Sequence, residues 1–232
     1  MTQKGLPRRG LARTSLSELT YEALKERILD QKLEPGARLN IDAIAKSLGV
    51  SSSPVREALA RLEAERLVVL ELYSGYSVAP HPSAGYLRQL LDFRLLIEGW
   101  CARTGAARGN PATVRLLGTL VERMGETKRL AARYQEYRRS AQADAQFHQA
   151  IVDSAANPVM SEVYASKHAH LLMTRLFINR ADAGRPADAV IGEHRAIFQA
   201  FRAGDGAAAE KAVRRHLEQS GKRLLLAARK AG

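Results

Sequence analysis

The sequence predicts a mainly α fold in two parts, a small helical unit closed by a β-hairpin and then an antiparallel all-α bundle. Three observations predict it. Apolar residues recur at three- and four-residue spacing along most of the chain. Between Leu67 and Ala79 the pattern changes to two short strand-like runs, and Ala79-Pro80-His81-Pro82-Ser83 then interrupts it as a linker would. The divisions that follow are a basic tail over 1–15, a first domain over 16–79, a linker over 80–83 and a second domain over 84–230.

In the first domain, Ser17 opens a helical pattern (Leu16, Thr20, Leu24, Ile28) that stops before the turn Leu33-Glu34-Pro35-Gly36. Ile41, Ile44, Ala45 and Leu48 predict a second, short helix, with Asn40 as its cap and Gly49 as its stop. A third helix follows at once and runs to about Glu65, carrying Val55, Leu59 and Leu62 on one stripe. Leu67 to Leu72 and Tyr76 to Ala79, joined by Tyr73-Ser74-Gly75, read as a hairpin. Three helices and a hairpin, with a short Gly-containing turn between the second and third helices, describe a winged helix-turn-helix.

From Ser83 onward the chain reads as helix. Asn110-Pro111 and Asn157-Pro158 each place a cap before a proline in the first turn, and Asp205 caps the last segment after the Gly204 stop. The predicted segments are 84–108, 112–127, 131–156, 158–179, 187–203 and 206–229, with Ala181 to Pro186 as a loop. Six helices of this kind suit an antiparallel bundle.

Composition sets the compartment and part of the chemistry. A hydrophobic content of 46% supports a packed core, and no apolar run approaches the roughly 18 residues of a membrane span. The single Cys101 fits a reducing cytosol, so a cytoplasmic protein is expected. The net charge of +12 suggests nucleic acid, yet its distribution is uneven. Residues 1–80 hold 12 basic and 10 acidic side chains, and Met1 to Leu16 alone supply +4, so residues 17–80 are net −2 while 81–232 carry +10. Bulk charge therefore points away from the first domain. The DNA argument rests on pattern, with Lys4, Arg8, Arg9 and Arg13 as a phosphate-binding arm or a plain solvated tail.

That pattern centres on Gly49 to Leu59. Opposite the buried stripe, Ser52, Ser53 and Arg56 share an exposed side at the helix start. Hydroxyls and free N–H groups there suit phosphate, and a guanidinium can reach a guanine edge. The same residues also suit an ordinary capped surface helix.

In the second domain, polar groups stand where the periodicity expects apolar ones. Asp144 and His148 are four residues apart beside Phe147 and Ile151, His194 aligns with Ile197, Phe198 and Phe201, and His216 lies between Val213 and Leu217. One carboxylate and three imidazoles from three helices suit a divalent ion (zinc, manganese, nickel or iron) with one or two positions left open. Each histidine also suits a hydrogen-bonded core position. His81, His168 and His170 fall off this stripe. Arg94 and Glu98 form an i,i+4 pair flanked by Leu87, Leu91, Leu95 and Ala102. They read either as a bridge fixing the helix or as a guanidinium facing a cavity to bind a carboxylate.

These residues resemble the GntR-type transcriptional regulators of the FadR subgroup with an FCD effector domain. The likeness is carried by Pro35-Gly36-Ala37-Arg38-Leu39, Ile44-Ala45-Lys46-Ser47-Leu48-Gly49-Val50-Ser51, Pro54-Val55-Arg56-Glu57-Ala58-Leu59, Arg61-Leu62 and Gly75. In the second domain it rests on Arg94-x-x-x-Glu98, Asp144-x-x-x-His148, Asn157, Glu193-His194 and Arg215-His216-Leu217, so that it spans about residues 16–225. The resemblance implies a homodimer reading palindromic double-stranded operator DNA through Arg38, Ser51, Ser52, Ser53, Arg56, Arg61 and Gly75. It implies that Asp144, His148, His194 and His216 hold the metal and that an organic acid completes its coordination, and Arg94 and Glu98 are expected to face that effector. The acyl-CoA-sensing branch of the family lacks this metal set. Ser52-Ser53 stands where the family often has Arg-Thr, which removes a guanidinium from the reading face. Trp100 replaces a usually small residue, and is expected to narrow the pocket or pack in the core.

The leading expectation is a ligand-responsive regulator, most often a repressor. A metal-dependent hydrolase with an appended DNA-binding domain is the alternative, although His-Glu-x-x-His and Glu-x-x-His pairs are absent. An architectural DNA binder with a vestigial bundle is the third reading.

Overall fold

The computed structural model describes residues 15–126, 134–177 and 188–229. The basic arm at Lys4, Arg8, Arg9 and Arg13 and the loop 181–186 lie outside the described residues.

Helix α1 (Leu16–Leu29) starts behind Ser15, whose hydroxyl accepts from the Glu18 N–H, one turn-position earlier than the sequence pattern suggested. Helix α2 (Ile41–Leu48) is capped by the Asn40 side chain and ended by Gly49 at φ 65°, a left-handed stop that glycine adopts without a Cβ penalty. Only Val50 and Ser51 separate this stop from α3 (Ser52–Ala64), so it sets the angle between the two helices. Strands β1 (Val68–Glu71) and β2 (Gly75–Val78) pair antiparallel, Val68 opposite Val78 and Glu71 opposite Gly75. Arg38 adds an isolated bridge to Ser77, tying the segment before α2 to the wing. One apolar core joins these elements: Leu24, Ile28 and Leu29 of α1, Val55, Leu59 and Leu62 of α3, and Leu67, Val68 and Val78 of the hairpin.

After the linker, Ser83 caps α4 (Ala84–Arg108), the longest helix of the bundle among the described residues. Then come α5 (Pro111–Gly125), α6 (Tyr134–Ser154), α7 (Pro158–Ala165), α8 (Ala169–Phe177), α9 (Asp188–Ala203) and α10 (Gly206–Arg229). The segment expected as a single helix over 158–179 is two. Ser166 caps α7, and His168 takes φ 48°, which breaks the helical path before α8 resumes. Neither proline nor glycine marks that break.

Leu117, Leu120, Phe147, Ile151, Ile197, Phe201, Val213 and Leu217 form the main bundle core. Close approach shapes it: a Cβ on Gly105 of α4 would stand 1.7 Å from the Ser154 hydroxyl of α6. Trp100 neither narrows a pocket nor packs in the core. It is 46% exposed on the outer face of α4, four residues from a still more exposed Leu96. The side chain that the sequence reading took inward thus sits one helical face away.

The two domains touch through few side chains. Tyr137 of α6 and Leu171 of α8 pack against the winged-helix core, Arg138 pairs with Glu22 at 2.8 Å, and Arg66 donates to the Tyr86 hydroxyl at 3.1 Å.

Candidate functional site

Helices α4, α6, α8, α9 and α10 converge on one buried polar cluster. Asp144 and His148 come from α6, His194 from α9 and His216 from α10, all on faces that otherwise carry core residues. The three imidazoles are 0%, 0% and 4% exposed. Their ligand atoms lie within 4.8 Å of one another. His194 Nε2 stands 3.4 Å from His148 Nε2 and 2.9 Å from Asp144 Oδ1, and His148 Nε2 is 3.9 Å from the same oxygen.

The outward nitrogen of each ring has a partner. His148 Nδ1 meets Glu98 Oε2 at 2.6 Å, His194 Nδ1 meets the Val190 carbonyl at 2.8 Å, and His216 Nδ1 meets Glu193 Oε2 at 2.8 Å. A carbonyl and two carboxylates only accept, so all three Nδ1 atoms carry the hydrogen and the Nε2 lone pairs turn inward. Burial, against the pull of Glu98, lowers His148 to about 3. Burial and the neighbouring His194 lower His216 to about 4. These two rings are therefore neutral near pH 7, the form that binds metals. Burial opposes the charge of Asp144, but the hydrogen bond from His170 outweighs it and holds the carboxyl well below its ordinary range.

Convergent lone pairs and a carboxylate oxygen repel one another unless a cation lies among them. Donors about 2.0–2.2 Å from one ion stand about 3–4 Å from each other, which matches the separations among Asp144 Oδ1, His148 Nε2 and His194 Nε2, with His216 within 4.8 Å of both rings. The residues present fit a divalent ion, and Asp144, His148, His194 and His216 can hold it.

Beside this cluster lies a buried ion pair. Arg94 Nε donates to Glu98 Oε1 at 2.5 Å, with both side chains at most 3% exposed. Burial works against both charges. Each partner more than offsets it for the other, raising Arg94 above and lowering Glu98 below their ordinary values. The Tyr164 hydroxyl donates to the same Glu98 oxygen at 2.7 Å. Glu98 is thus spent on Arg94, His148 and Tyr164. The sequence reading gave it to the effector; the structure makes it the support of the cluster. Arg94 differs: its Nη1 points at the Met173 sulfur at 3.3 Å, and its buried Nη2 has no hydrogen-bond partner among the described residues. An unsatisfied guanidinium edge in a dry site favours an anionic oxygen.

Two further groups have roles that the sequence did not show, although Glu193 belongs to the matched Glu193-His194 pair. His170, set aside as off the stripe, donates from Nδ1 to Asp144 Oδ2 at 2.8 Å and stacks on His148 with ring centres 4.8 Å apart. Glu193 holds His216 and is itself gripped by both Arg223 nitrogens at 2.9 and 3.0 Å. Its position directly before His194 gave no sign of this role.

The winged helix presents a separate surface. Ser51, Ser53, Arg56 and Arg38 are exposed, and Gly75, exposed at φ 78°, opens β2 at the wing tip. Ser52 is partly buried and donates to Asp42 Oδ1 at 3.1 Å. Arg61 is engaged elsewhere: it pairs with Glu18 at 2.5 Å and lies 3.8 Å over the Tyr21 ring. It braces α3 against α1 instead of joining the group formed by Ser53 and Arg56.

Residues 16–78 match the family described as bacterial regulatory proteins, gntR family, and residues 89–219 match the FCD domain. The galactonate operon transcriptional repressor of Escherichia coli is 26% identical over 222 residues, covering 87% of this chain and 93% of that protein. The transcriptional regulator LutR of Bacillus subtilis is 29% identical over 212 residues, covering 82% and 92%. A solved GntR transcriptional regulator from a Rhodococcus species aligns with a TM-score of 0.66 at 27% identity, covering 90% of this chain and 97% of that one.

Proposed function

From the premise that the chain belongs to the GntR family of bacterial regulators with an FCD effector-binding domain, we propose a metal-dependent, carboxylate-responsive repressor. Its domains and relatives are those of transcriptional regulators and not of enzymes, so the hydrolase alternative has no support. The architectural alternative leaves the buried donor cluster without a purpose.

The observation that carries the reading is the Nε2 convergence of His148, His194 and His216 beside Asp144, with the open Nη2 edge of Arg94 close by. Glu98, Val190 and Glu193 fix the ring orientations, so the donors are set before any ion arrives. A bound ion would supply a coordination position for a carboxylate. Arg94, anchored by Glu98, would take the second anionic oxygen. A small organic acid meets both demands. The effector's free energy then acts on the relative positions of α4, α6, α9 and α10, and through α6 on the reader.

On DNA, α3 enters the major groove with Arg56 toward a base edge, while Ser51, Ser53 and the N–H groups of its first turn meet phosphate. Arg38 and the Gly75 wing flank it. Residues 17–80 are net −2, so one winged helix carries little electrostatic affinity, and two of them on a palindromic operator supply the rest. A homodimer is the form that presents two, and the exposed Leu96 and Trp100 on α4 offer apolar surface for it. The cytoplasm, where DNA and small metabolites meet, is the proposed compartment. Among the described residues no helix is long and apolar enough to cross a membrane.

The test is a thermal-shift screen of the metal-loaded protein against small carboxylates, repeated with His216→Ala. A specific acid raises the melting temperature of the wild type only. A shift retained in His216→Ala overturns the metal-dependent pocket.

A further inference from the structure

We propose that His170 is the positioning residue of the metal site and the link by which that site reaches the winged helix; this rests on the metal reading above. The two oxygens of Asp144 face opposite ways. Oδ1 lies 2.9 Å from His194 Nε2, toward the donor cluster, while Oδ2 lies 2.8 Å from His170 Nδ1. His170 therefore decides which way the carboxylate turns. The ring is itself held by stacking on His148 at 4.8 Å, and its Nε2 comes within 3.2 Å of the Tyr164 hydroxyl oxygen. At 9% exposure little water competes for the bond to Asp144.

The second half of the argument is position. His170 stands on the first turn of α8, and the next residue, Leu171, packs against the winged-helix core. On α6, Tyr137 lies seven residues before Asp144, about two turns along the same face, and packs against that same core. Its neighbour Arg138 pairs with Glu22 of α1 at 2.8 Å. The Asp144–His170 bond thus clasps the two bundle helices whose side chains, among the described residues, enter the reader core. An ion held by Asp144 together with His148 and His194 would load this clasp, and the load would reach the winged-helix core through Leu171 and Tyr137.

The experiment uses the full chain and Co2+ as the probe, read by its visible absorption, with hydrogen–deuterium exchange of the α1 amides measured with and without the ion. In the wild type, Co2+ changes α1 exchange. His170→Ala keeps the three imidazoles, binds Co2+ about 10–100-fold more weakly, as loss of an orienting partner does, and loses the α1 response. His170→Asn places an amide N–H where Nδ1–H stood and restores both. Leu171→Ala keeps the Co2+ affinity and loses the α1 response. Wild-type affinity together with a wild-type α1 response in His170→Ala overturns the proposal. So does a failure of His170→Asn to rescue, which would make His170 a ligand and not a positioning residue. Equal Co2+ binding by wild type and His216→Ala sinks the underlying metal reading instead, and so separates the two failures.

Discussion

Among the described residues, the winged helix buries Thr20 and Asp30 as its polar side chains and keeps Arg38, Ser53 and Arg56 at its surface. The bundle does the reverse, burying Arg94, Glu98, His148, His170, His194 and His216. A reader works on a partner that arrives from outside, so its functional groups can be changed with little cost to the fold. A sensor that must move helices gains by placing its ligand groups in the core, where each one also supports the packing. Its function and its stability are then carried by the same atoms, and substitutions in the two domains should separate accordingly.

The largest effect is expected at the support of the cluster. Glu98→Ala leaves Arg94 buried without its counter-ion and releases His148 Nδ1. Breaking a buried pair from one side costs about 3–5 kcal/mol, and denaturant unfolding of the metal-free protein should show it. The double change Arg94→Met with Glu98→Leu should recover most of that stability while leaving the protein blind to carboxylates. If Glu98→Ala alone is tolerated, the cluster is not the stability element described.

Next comes the metal. At an ion concentration 100 times the dissociation constant, binding stabilises the native state by about 2.7 kcal/mol. His216→Ala should lose nearly all of this increment, and chelation should remove it from the wild type. The readout is the unfolding midpoint with and without Zn2+. Leu59→Ala in the reader core is the matched control: it should cost about 2–5 kcal/mol with or without the ion.

On the reader the comparison turns round. Arg56→Ala should leave the melting temperature almost unchanged yet cost about 1–3 kcal/mol in affinity for DNA selected by the wild type from a random pool, at fixed salt. An unchanged mobility shift would remove Arg56 from the base-reading role.

The legibility of the sequence follows the same division. The first domain was readable because each boundary has a local chemical mark: Asn40 before α2, Gly49 after it, and Gly75 in the wing. In the bundle, Asp144, His148, His194 and His216 could be found because polar groups on an apolar stripe violate its period. His170 could not be found this way. The left-handed residue at His168 resets the helical phase, so the period carried on from Pro158 assigns His170 to the wrong face. Glu98 was visible as a residue, but its three partners come from positions 4, 50 and 66 residues away, and only the tertiary fold brings the last two to it. Arg61 matched the reading motif by type, while its partners Glu18 and Tyr21 lie on another helix.

Acid should divide the domains more gradually. Burial lowers His148 to about 3 and His216 to about 4 in the metal-free fold, whereas an unfolded chain holds histidine near its ordinary value of about 6.5. Between about pH 6.5 and 4 the unfolded state binds protons that the native state refuses. Stability is therefore present above the window and falls as the pH drops through it, by up to about 1.4 kcal/mol per pH unit for each histidine. Residues 16–79 contain no histidine, so the reader has no such dependence of its own. Hydrogen exchange at pH 7 and 5 should show protection lost first in α6, α9 and α10, with α1 and α3 following only as the bundle opens. Uniform loss across both domains would mean that the contacts of Tyr137, Leu171, Arg138 and Arg66 make the two domains one cooperative unit.

The smallest effect is the most discriminating for the DNA surface. Arg61 and Glu18 are about half exposed, so their pair contributes at most about 1 kcal/mol, with a cation–π contact to Tyr21 of about 0.5–1 kcal/mol beside it. Arg61→Ala should therefore lower stability by about 1 kcal/mol and change DNA affinity far less than Arg56→Ala. The two arginines sit five residues apart on one helix and carry the same charge, so nonspecific attraction to phosphate cannot separate them. A difference between them has to come from where α1 holds one guanidinium and solvent leaves the other. Equal losses of affinity would show that Arg61 leaves Glu18 when DNA arrives, and the reading face would then run one turn further along α3.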